Sequence, residues 1–255
     1  MGGRTLGVSL SSELDNKGNP DFAWPGDVRT GEGAMANLTI DCVVLGLNHG
    51  RLKVLTVEYG VGPHKGCWAL PGGWVHIEEG IDDAAARHLR DLTGLNNIYL
   101  QQLQAFGDVS RSPGRRIVTV AYYALVRQED YAIVVGNTTS DVQWRDLDEP
   151  RNLIFDHENI LQLALKSLRH KVRHEPIGFN LLPQKFTLLQ LQELYEAILG
   201  LKLDKPNFRR KMMKMKLLTP CGEKQKHVAH RAAELYRFDE EVYQDLCARG
   251  FSFEV

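Results

Sequence analysis

Apolar runs of strand length recur between residues 38 and 147 of this 255-residue chain. LTIDCVVLGL (38–47) and LKVLTVEY (52–59) flank the turn signal Asn48-His49-Gly50, which predicts a hairpin. Three later stretches also predict strands: YLQQLQAFGDV (99–109), RIVTVAYYALV (116–126) and Val142 to Leu147. Residues 1 to about 35 lack such periodicity and are rich in Gly, Ser, Asn and Asp, so we predict that they are disordered or precede a natural start at Met35.

Two helical patterns accompany these strands. The first runs from about Asp82 to Thr93, and its predicted buried face is Ala84, Ala85, Leu89 and Leu92. The second runs from Asp156 to about Arg173, with Leu161, Ala164, Leu165 and Leu168 at spacings i, i+3, i+4 and i+7. We therefore expect an α/β fold, an α/β/α sandwich around a mixed sheet, over residues 36–174.

A second domain is predicted over residues 175–255. Thr187 followed by Gln190 is a capping-box signal, and the helix that it opens should stop at Gly200. Asp204 is the expected N-cap of a basic helix over NFRRKMMKMKLL (207–218), which should bury Phe208, Met212, Met215 and Leu218. A loop with Gly222 and a closing strand ELYRF (234–238) complete the pattern of a winged helix-turn-helix.

The net charge of −1 conceals a basic segment. From Gly200 to Arg237 the chain carries eleven Lys and Arg residues against three Asp and Glu residues, which indicates a surface for a polyanion, although a solvated helical face is the alternative. The four cysteines form no C-x-x-C pair, which argues against a structural zinc site and a disulfide framework. With no signal peptide and no membrane-length apolar run, we expect a cytoplasmic protein without a membrane partner.

The segment GWVHIEEGIDDAAARHLRDLTGL (73–95) keeps the spacing of a metal-dependent phosphohydrolase motif. It resembles the Nudix box G-x5-E-x7-R-E-U-x-E-E-x-G-U, where U is aliphatic. The positions in register are Gly73, Glu79, Arg87, Leu89, Gly94 and Leu95. The three glutamates that should follow the arginine are instead His88, Asp91 and Leu92.

Helical spacing predicts that positions 87, 88, 91 and 92 converge on one side of the helix, where the motif would form a metal cluster. Mg²⁺ prefers oxygen ligands, and only Glu79 and Asp91 remain to supply them. We therefore expect no resident metal, no cofactor, no catalytic residue and no hydrolase activity. The retained glycines, arginine and aliphatic residues are equally explained by the needs of the loop-helix-loop backbone.

The box, the basic second domain and the phrase EPIGFNLLPQKFTLLQLQELYEAILGLKLDKPNFRRK (175–211) together resemble the Nudix-related transcriptional regulators, over roughly residues 36 to 238. The resemblance implies an N-terminal domain that senses a small metabolite, a winged helix that binds operator double-stranded DNA, and a homodimer. One branch of that family controls NAD metabolism and recognises ADP-ribose, and the other controls sugar use and recognises arabinose. The box and residues 175–200 are more similar to the arabinose branch, so a pentose such as L-arabinose is the first expected effector and ADP-ribose the second.

The resemblance also implies which residues bind DNA. Asp204 to Arg210 match the pattern D-K-x-x-F-R-[RK] of the recognition helix. Arginine suits guanine edges because its fork bonds O6 and N7 together, while lysine suits phosphates. The expected DNA-binding residues are Lys202, Lys205, Asn207, Arg209, Arg210, Lys211 and Lys214, with Lys224, Lys226 and His227 in the wing.

For the effector, the segment SRSPGRRIVTVAYYAL (110–125) is similar to the loop and strand that lie over the Nudix pocket. The expected effector-binding residues are Trp68, His76, Glu79, Arg111, Arg115, Arg116 and Tyr122. Trp68 and Tyr122 each have a competing role in the core of the sheet. Two other functions stay open: an active Nudix hydrolase of a nucleoside diphosphate derivative such as ADP-ribose, and a metabolite-binding adaptor whose basic helices contact RNA or protein.

Overall fold

The computed structural model describes residues 34–48, 50–149, 151–226, 231–251 and 253, with side chains from Asn37 onwards. Disorder was predicted for the first 35 residues. Residues 1–33 lie outside the described residues, and at Ala34 and Met35 the prediction is wrong, because these residues begin the first strand. Within the described part, no helix combines the length and the apolar character that crossing a membrane requires.

A mixed sheet of seven strands forms the centre of the N-terminal domain. The strands are β1 (Ala34–Asn48), β2 (Arg51–Tyr59), β3 (Trp68–Ala69), β4 (Gly72–His76), β5 (Gln101–Phe106), β6 (Val118–Arg127) and β7 (Thr139–Asp146). The order is β3-β2-β1-β6-β5, with β4 also paired to β1 and β7 to β2. β1 and β6 are parallel, and the other pairs are antiparallel. The predicted hairpin is confirmed, since β1 and β2 pair out to Asn48 and Arg51.

Two helices cover the two faces of this sheet: α1 (Ile81–Thr93) and α2 (His157–His174). Successive side chains of a strand point to opposite faces, and β1 shows this directly. Ile40, Cys42 and Val44 pack in one core with α1, whereas Val43 and Leu45 pack in the other core with α2. Because both faces are covered, β1 reads in the sequence as a mostly apolar run rather than an alternating one. The predicted α/β/α sandwich is confirmed.

The C-terminal domain is the predicted winged helix. Its elements are α3 (Leu188–Leu199), α4 (Lys205–Lys214), β8 (Leu218–Lys224), β9 (Glu234–Phe238) and α5 (Glu240–Ala248). The capping box is complete: the Thr187 hydroxyl accepts from the Gln190 N–H, and the Gln190 side chain accepts from the Thr187 N–H. Gly200 ends α3 in the left-handed conformation, as predicted.

Four details of the C-terminal domain differ from the sequence-based expectation. α4 ends at Lys214 rather than at residue 218, because Lys216 adopts a φ of 57° that turns the chain into β8. Leu218 is buried as expected, but as the first residue of β8. Gly222 lies within β8, where the register is irregular, rather than in the loop. The final helix α5 was not predicted.

One apolar core crosses the boundary between the domains. Residues of α2 share it with α3 and with the short 3-10 helix Ile177–Leu181 that joins the two domains. Gly178 marks this junction, since a Cβ there would lie 3.2 Å from Leu194 Cδ2 and 3.7 Å from Val172 Cγ2. An open cleft of about 750 Å³ remains between the tip of the β1–β2 hairpin and α3.

Candidate functional site

Glu79 and Arg87, two residues of the box, hold the loop before α1 in place. Arg87 donates from Nε to Glu79 Oε2 at 2.9 Å and from Nη2 to Glu79 Oε1 at 2.5 Å. Glu79 Oε1 also accepts from the His76 N–H at 2.8 Å. These hydrogen bonds, led by that of Arg87, lower the pKa of Glu79 from 4.5 to about 2. Both oxygens of the remaining box glutamate therefore already have donors.

The remaining box positions, His88, Asp91 and Leu92, have different surroundings on α1. His88 and Leu92 are buried against the sheet, each 2% exposed, and Leu92 belongs to the apolar core. Asp91 faces solvent and pairs with Arg90, with Nε and Oδ1 3.0 Å apart. Within the described residues, no three His, Cys, Asp or Glu side chains are grouped so that they could hold a metal ion.

His88 fills space between α1 and β4. Its Nε2 lies 2.9 Å from the Trp74 carbonyl oxygen, to which it donates. Burial, together with the neighbouring Arg87, lowers the pKa of His88 from 6.5 to about 4, so the imidazole is neutral near pH 7. His88 therefore has a structural role at a position where the box motif has a glutamate.

The seven expected effector residues lie in different surroundings. Glu79 is held by Arg87 of α1, and Tyr122 is buried in the α1 core, where its hydroxyl donates to Asp82. Trp74 packs with Ile117 and Phe155 in a separate small cluster, and the Arg115 guanidinium stacks over its ring at 4.7 Å. The structure therefore does not bring all seven together.

Trp68 and the arginines of the loop between β5 and β6 have distinct surroundings. The Arg145 guanidinium lies 4.0 Å from the centre of a Trp68 ring, a contact that the sequence did not reveal. Arg116 is exposed and donates to the carbonyl oxygens of Gly107 and Asp108 at 2.6 and 3.1 Å. Arg115, also exposed, donates to Asn37 Oδ1 at 3.3 Å. Exposed guanidinium groups of this kind can bind a diphosphate.

Arg111, in contrast, is buried, with 3% of its side chain exposed. Its guanidinium donates to Asp156 Oδ1 at 2.8 Å, to Asp156 Oδ2 at 3.0 Å and to Asp41 Oδ2 at 3.3 Å. The sequence analysis assigned no site role to Asp41, Asp156 or His157. An isolated aspartate inside the apolar run LTIDCVVLGL was the signal that could have pointed to a buried polar cluster.

The basic surface of the winged helix is organised by α4. Asp204 is the N-cap, since its Oδ1 accepts from the Asn207 N–H at 3.0 Å, and Pro206 lies in the first turn. Phe208 and Met212 are buried on one side of the helix. The exposed side carries Lys205, Asn207, Arg210, Lys211 and Lys214. Arg210 donates to Asn207, which holds its guanidinium along the helix.

Arg209 differs from its neighbours. It is partly buried, and its Nε is enclosed without a hydrogen-bond acceptor among the described residues. Burial raises the pKa of Tyr236 in β9, and the nearby charge of Arg209 opposes that rise. The Arg209 side chain on α4 is thus close to β9.

The wing and the turn complete this surface. Lys224 and Lys226 are exposed at the end of β8, whereas His227 lies outside the described residues. Lys202, in the turn between α3 and α4, is paired with Glu196 of α3 at 2.6 Å. Glu196 Oε1 also accepts from the Leu203 N–H at 3.1 Å and from Gln192 Nε2 at 2.8 Å. Sequence reasoning missed Glu196, the residue that ties the turn to α3.

Known proteins match both halves of the chain. The NUDIX domain model matches residues 35–164, and a model described as the NrtR DNA-binding winged helix domain matches residues 178–238. The ADPR responsive transcriptional repressor NtrR of Acinetobacter baylyi is 34% identical over 205 residues, which are 79% of this chain and 81% of that protein. An ADP-ribose pyrophosphatase of Methanocaldococcus jannaschii is 28% identical over 110 residues, 43% of this chain and 64% of that protein.

Solved structures agree with these matches. Shewanella oneidensis NrtR, in its crystal structure with a 27mer DNA, aligns with a TM-score of 0.67 at 30% identity and covers 85% of this chain and 97% of that one. The expected preference for the arabinose branch is not supported, because the matching repressor is described as responsive to ADP-ribose. The chain belongs to the NrtR family of transcriptional regulators, in which a Nudix domain is joined to a winged helix.

Proposed function

We propose that this protein binds operator DNA through α4 and the wing, and that its Nudix domain senses ADP-ribose and thereby changes operator affinity. One observation carries the proposal. The same chain joins a Nudix domain, in which buried His88 and Leu92 stand where the box motif has glutamates, to a winged helix with a basic, exposed α4. We further propose that it acts in the cytoplasm as a homodimer, since a dimer presents two recognition helices to two half-sites.

ADP-ribose is the effector that we propose rather than a pentose. Two relatives carry ADP-ribose in their names, one as a regulator and one as an enzyme. The exposed guanidinium groups of Arg115 and Arg116 suit the diphosphate of ADP-ribose, which a pentose lacks. Arg115 also stacks on Trp74, which fixes its plane beside the sheet.

Recovery of a preferred duplex from a randomised DNA pool by the full-length chain tests the DNA-binding part. The expected result is an enriched sequence with two related half-sites, bound in a strongly salt-dependent manner. Enrichment of RNA but not of duplex DNA from matched pools would instead favour the adaptor function.

A second function, ADP-ribose hydrolysis, is favoured only by the similarity to the pyrophosphatase and by the carboxylates of Glu79 and Asp91. Glu79 is bound by Arg87, and Asp91 points into solvent beside Arg90. We therefore expect negligible turnover of ADP-ribose with Mg²⁺ or Mn²⁺. A turnover of about 1 per second or more would show that the chain is an enzyme.

A further inference from the structure

Four polar residues from three parts of the N-terminal domain form a buried cluster, which we call the Arg111 cluster: Asp41, Arg111, Asp156 and His157. Asp41 and Arg111 are each 6% exposed, His157 is 2% exposed, and the Asp156 side chain is 15% exposed. Arg111 holds Asp156 with two hydrogen bonds and Asp41 with a third. Burying charged groups is costly in free energy unless they are paired. Separating Arg111 from the two aspartates would leave buried charges without partners, so this cost keeps the cluster together.

His157 completes the cluster in a single tautomer. Its Nδ1 accepts from the Leu70 N–H at 3.0 Å, so the ring proton of the neutral imidazole is on Nε2. Nε2 lies 3.4 Å from Asp41 Oδ1. Each Asp41 oxygen thus has a different neighbour: Oδ2 accepts a hydrogen bond from Arg111, and Oδ1 lies near the protonated nitrogen of His157.

The cluster joins the loop between β5 and β6 to the start of α2. Arg111 belongs to the loop that also carries Arg115 and Arg116, whereas Asp156 and His157 are the N-cap and first residue of α2. Phe155, directly before Asp156, adopts a φ of 54°, which is unfavourable for a bulky residue. The chain therefore enters α2 through a strained residue that the neighbouring ion pairs hold in place.

α2 reaches from this cluster to the winged helix. Near its far end, Arg169 Nε donates to the carbonyl oxygen of Ile198, the second-last residue of α3, at 3.1 Å. Asp156 and Arg169 are 13 residues apart, about 20 Å along a helix with a rise of 1.5 Å per residue. The turn between α3 and α4 begins two residues after Ile198. One rigid helix, α2, therefore connects the loop between β5 and β6 to the turn of the helix-turn-helix.

We propose that the Arg111 cluster is the coupling element of this regulator, with Arg111 as the positioning residue. An effector that engages Arg115 and Arg116 moves their loop, Arg111 transmits that movement to Asp156, and α2 transmits it to the end of α3 and the turn before α4. The inference rests on the proposed control of operator binding by ADP-ribose. It assigns the transmission to a specific set of ion pairs rather than to the domain junction in general.

Two variants test the coupling. Arg111→Lys keeps the positive charge and loses the two-pronged contact, and Asp156→Asn keeps the shape and loses the carboxylate. Arg151→Lys is the matched control, because Arg151 is also buried and also holds α2 with two hydrogen bonds, to Glu158 at 2.7 and 3.2 Å, but comes from the loop after β7. Thermal unfolding identifies which full-length variants are folded at the assay temperature.

The measurement is the affinity for the selected duplex with and without saturating ADP-ribose, beside calorimetric binding of ADP-ribose alone. The wild-type chain is expected to change its DNA affinity about tenfold or more, and Arg151→Lys is expected to retain that ratio. Arg111→Lys and Asp156→Asn are expected to bind both ligands separately while the ratio falls towards one.

A wild-type ratio in both Arg111→Lys and Asp156→Asn overturns the inference and leaves the proposed function intact. An equal loss of the ratio in Arg151→Lys overturns it too, because the effect then belongs to the stability of α2. An unresponsive wild-type chain refutes the proposed function itself, and with it the inference.

Discussion

The imidazole of His88 lies against the backbone of Gly73, so closely that a Cβ at position 73 would be 2.4 Å from His88 Cε1. The three nearest atoms to such a Cβ all belong to that imidazole. Gly73, the first residue of the box, is therefore matched in size to His88, which stands where the motif has its first glutamate after the arginine. The two positions form a packing pair between β4 and α1.

Gly73→Ala should destabilise the protein by roughly 1 to 3 kcal/mol, because the new methyl group displaces a buried ring. Adding His88→Ala should recover part of that loss, although His88→Ala alone is itself destabilising. Chemical denaturation of the four proteins of this cycle gives the interaction energy. Additive losses would mean that the two residues do not compete for space.

The stability of the protein should fall as the pH drops from 6.5 to about 4, partly because of His88. The folded state holds the pKa of this buried imidazole below its unfolded value, so between these two pH values the unfolded chain binds more protons. The contribution is complete above pH 6.5 and is at most roughly 3 kcal/mol. His88→Gln should show a shallower decline over this window in denaturant titrations, and an unchanged decline would contradict a neutral His88.

Substitutions on α4 should separate phosphate contacts from base contacts. Lys214→Ala should weaken binding to all duplexes alike and reduce the salt slope by about one unit, whereas Arg210→Ala should reduce discrimination by roughly 1 to 3 kcal/mol. Lys166→Ala, an exposed lysine on α2, is the control and should change neither. If the two α4 variants bind like the control, the DNA surface lies elsewhere.

Glu196 should matter more through the turn than through its charge. Glu196→Ala leaves the Leu203 N–H without its acceptor, which should cost roughly 1 to 3 kcal/mol of stability and weaken DNA binding by disordering the turn. Glu196→Gln keeps an oxygen for that N–H and loses only the exposed pair with Lys202, so it should behave nearly like the wild type. Equal losses in both variants would show that the Lys202 pair is the important contact.

Strands, helices and caps could be predicted because their causes are local. β1 is covered on both faces and reads as a mostly apolar run, and the capping box and Gly200 mark the ends of α3 within a few residues of sequence. The end of α4 was misplaced because the φ of 57° at Lys216 gives no signal in the sequence. α5 was missed because none of its residues is buried.

The site was harder to predict because its contacts are distant in sequence. Arg111 was expected to meet a ligand, but its partners Asp41 and Asp156 lie 70 and 45 residues away. Helical spacing placed Asp91 beside Leu92, whereas burial separates the two: one faces solvent and the other the core. The spacing of the motif gave only the angle between these side chains, whereas the hydrophobic periodicity of the helix correctly placed Leu92 on the buried face.

We propose above that ADP-ribose bound to the Nudix domain controls operator binding by the winged helix. This control is measured through the dissociation constant of the full-length chain for its selected duplex, by fluorescence anisotropy while ADP-ribose or L-arabinose is titrated. We expect a shift of about tenfold or more with ADP-ribose, a coupling of roughly 1.4 kcal/mol, and no shift with L-arabinose. ADP-ribose that binds in calorimetry yet leaves the DNA dissociation constant unchanged, or a shift with L-arabinose alone, would contradict it.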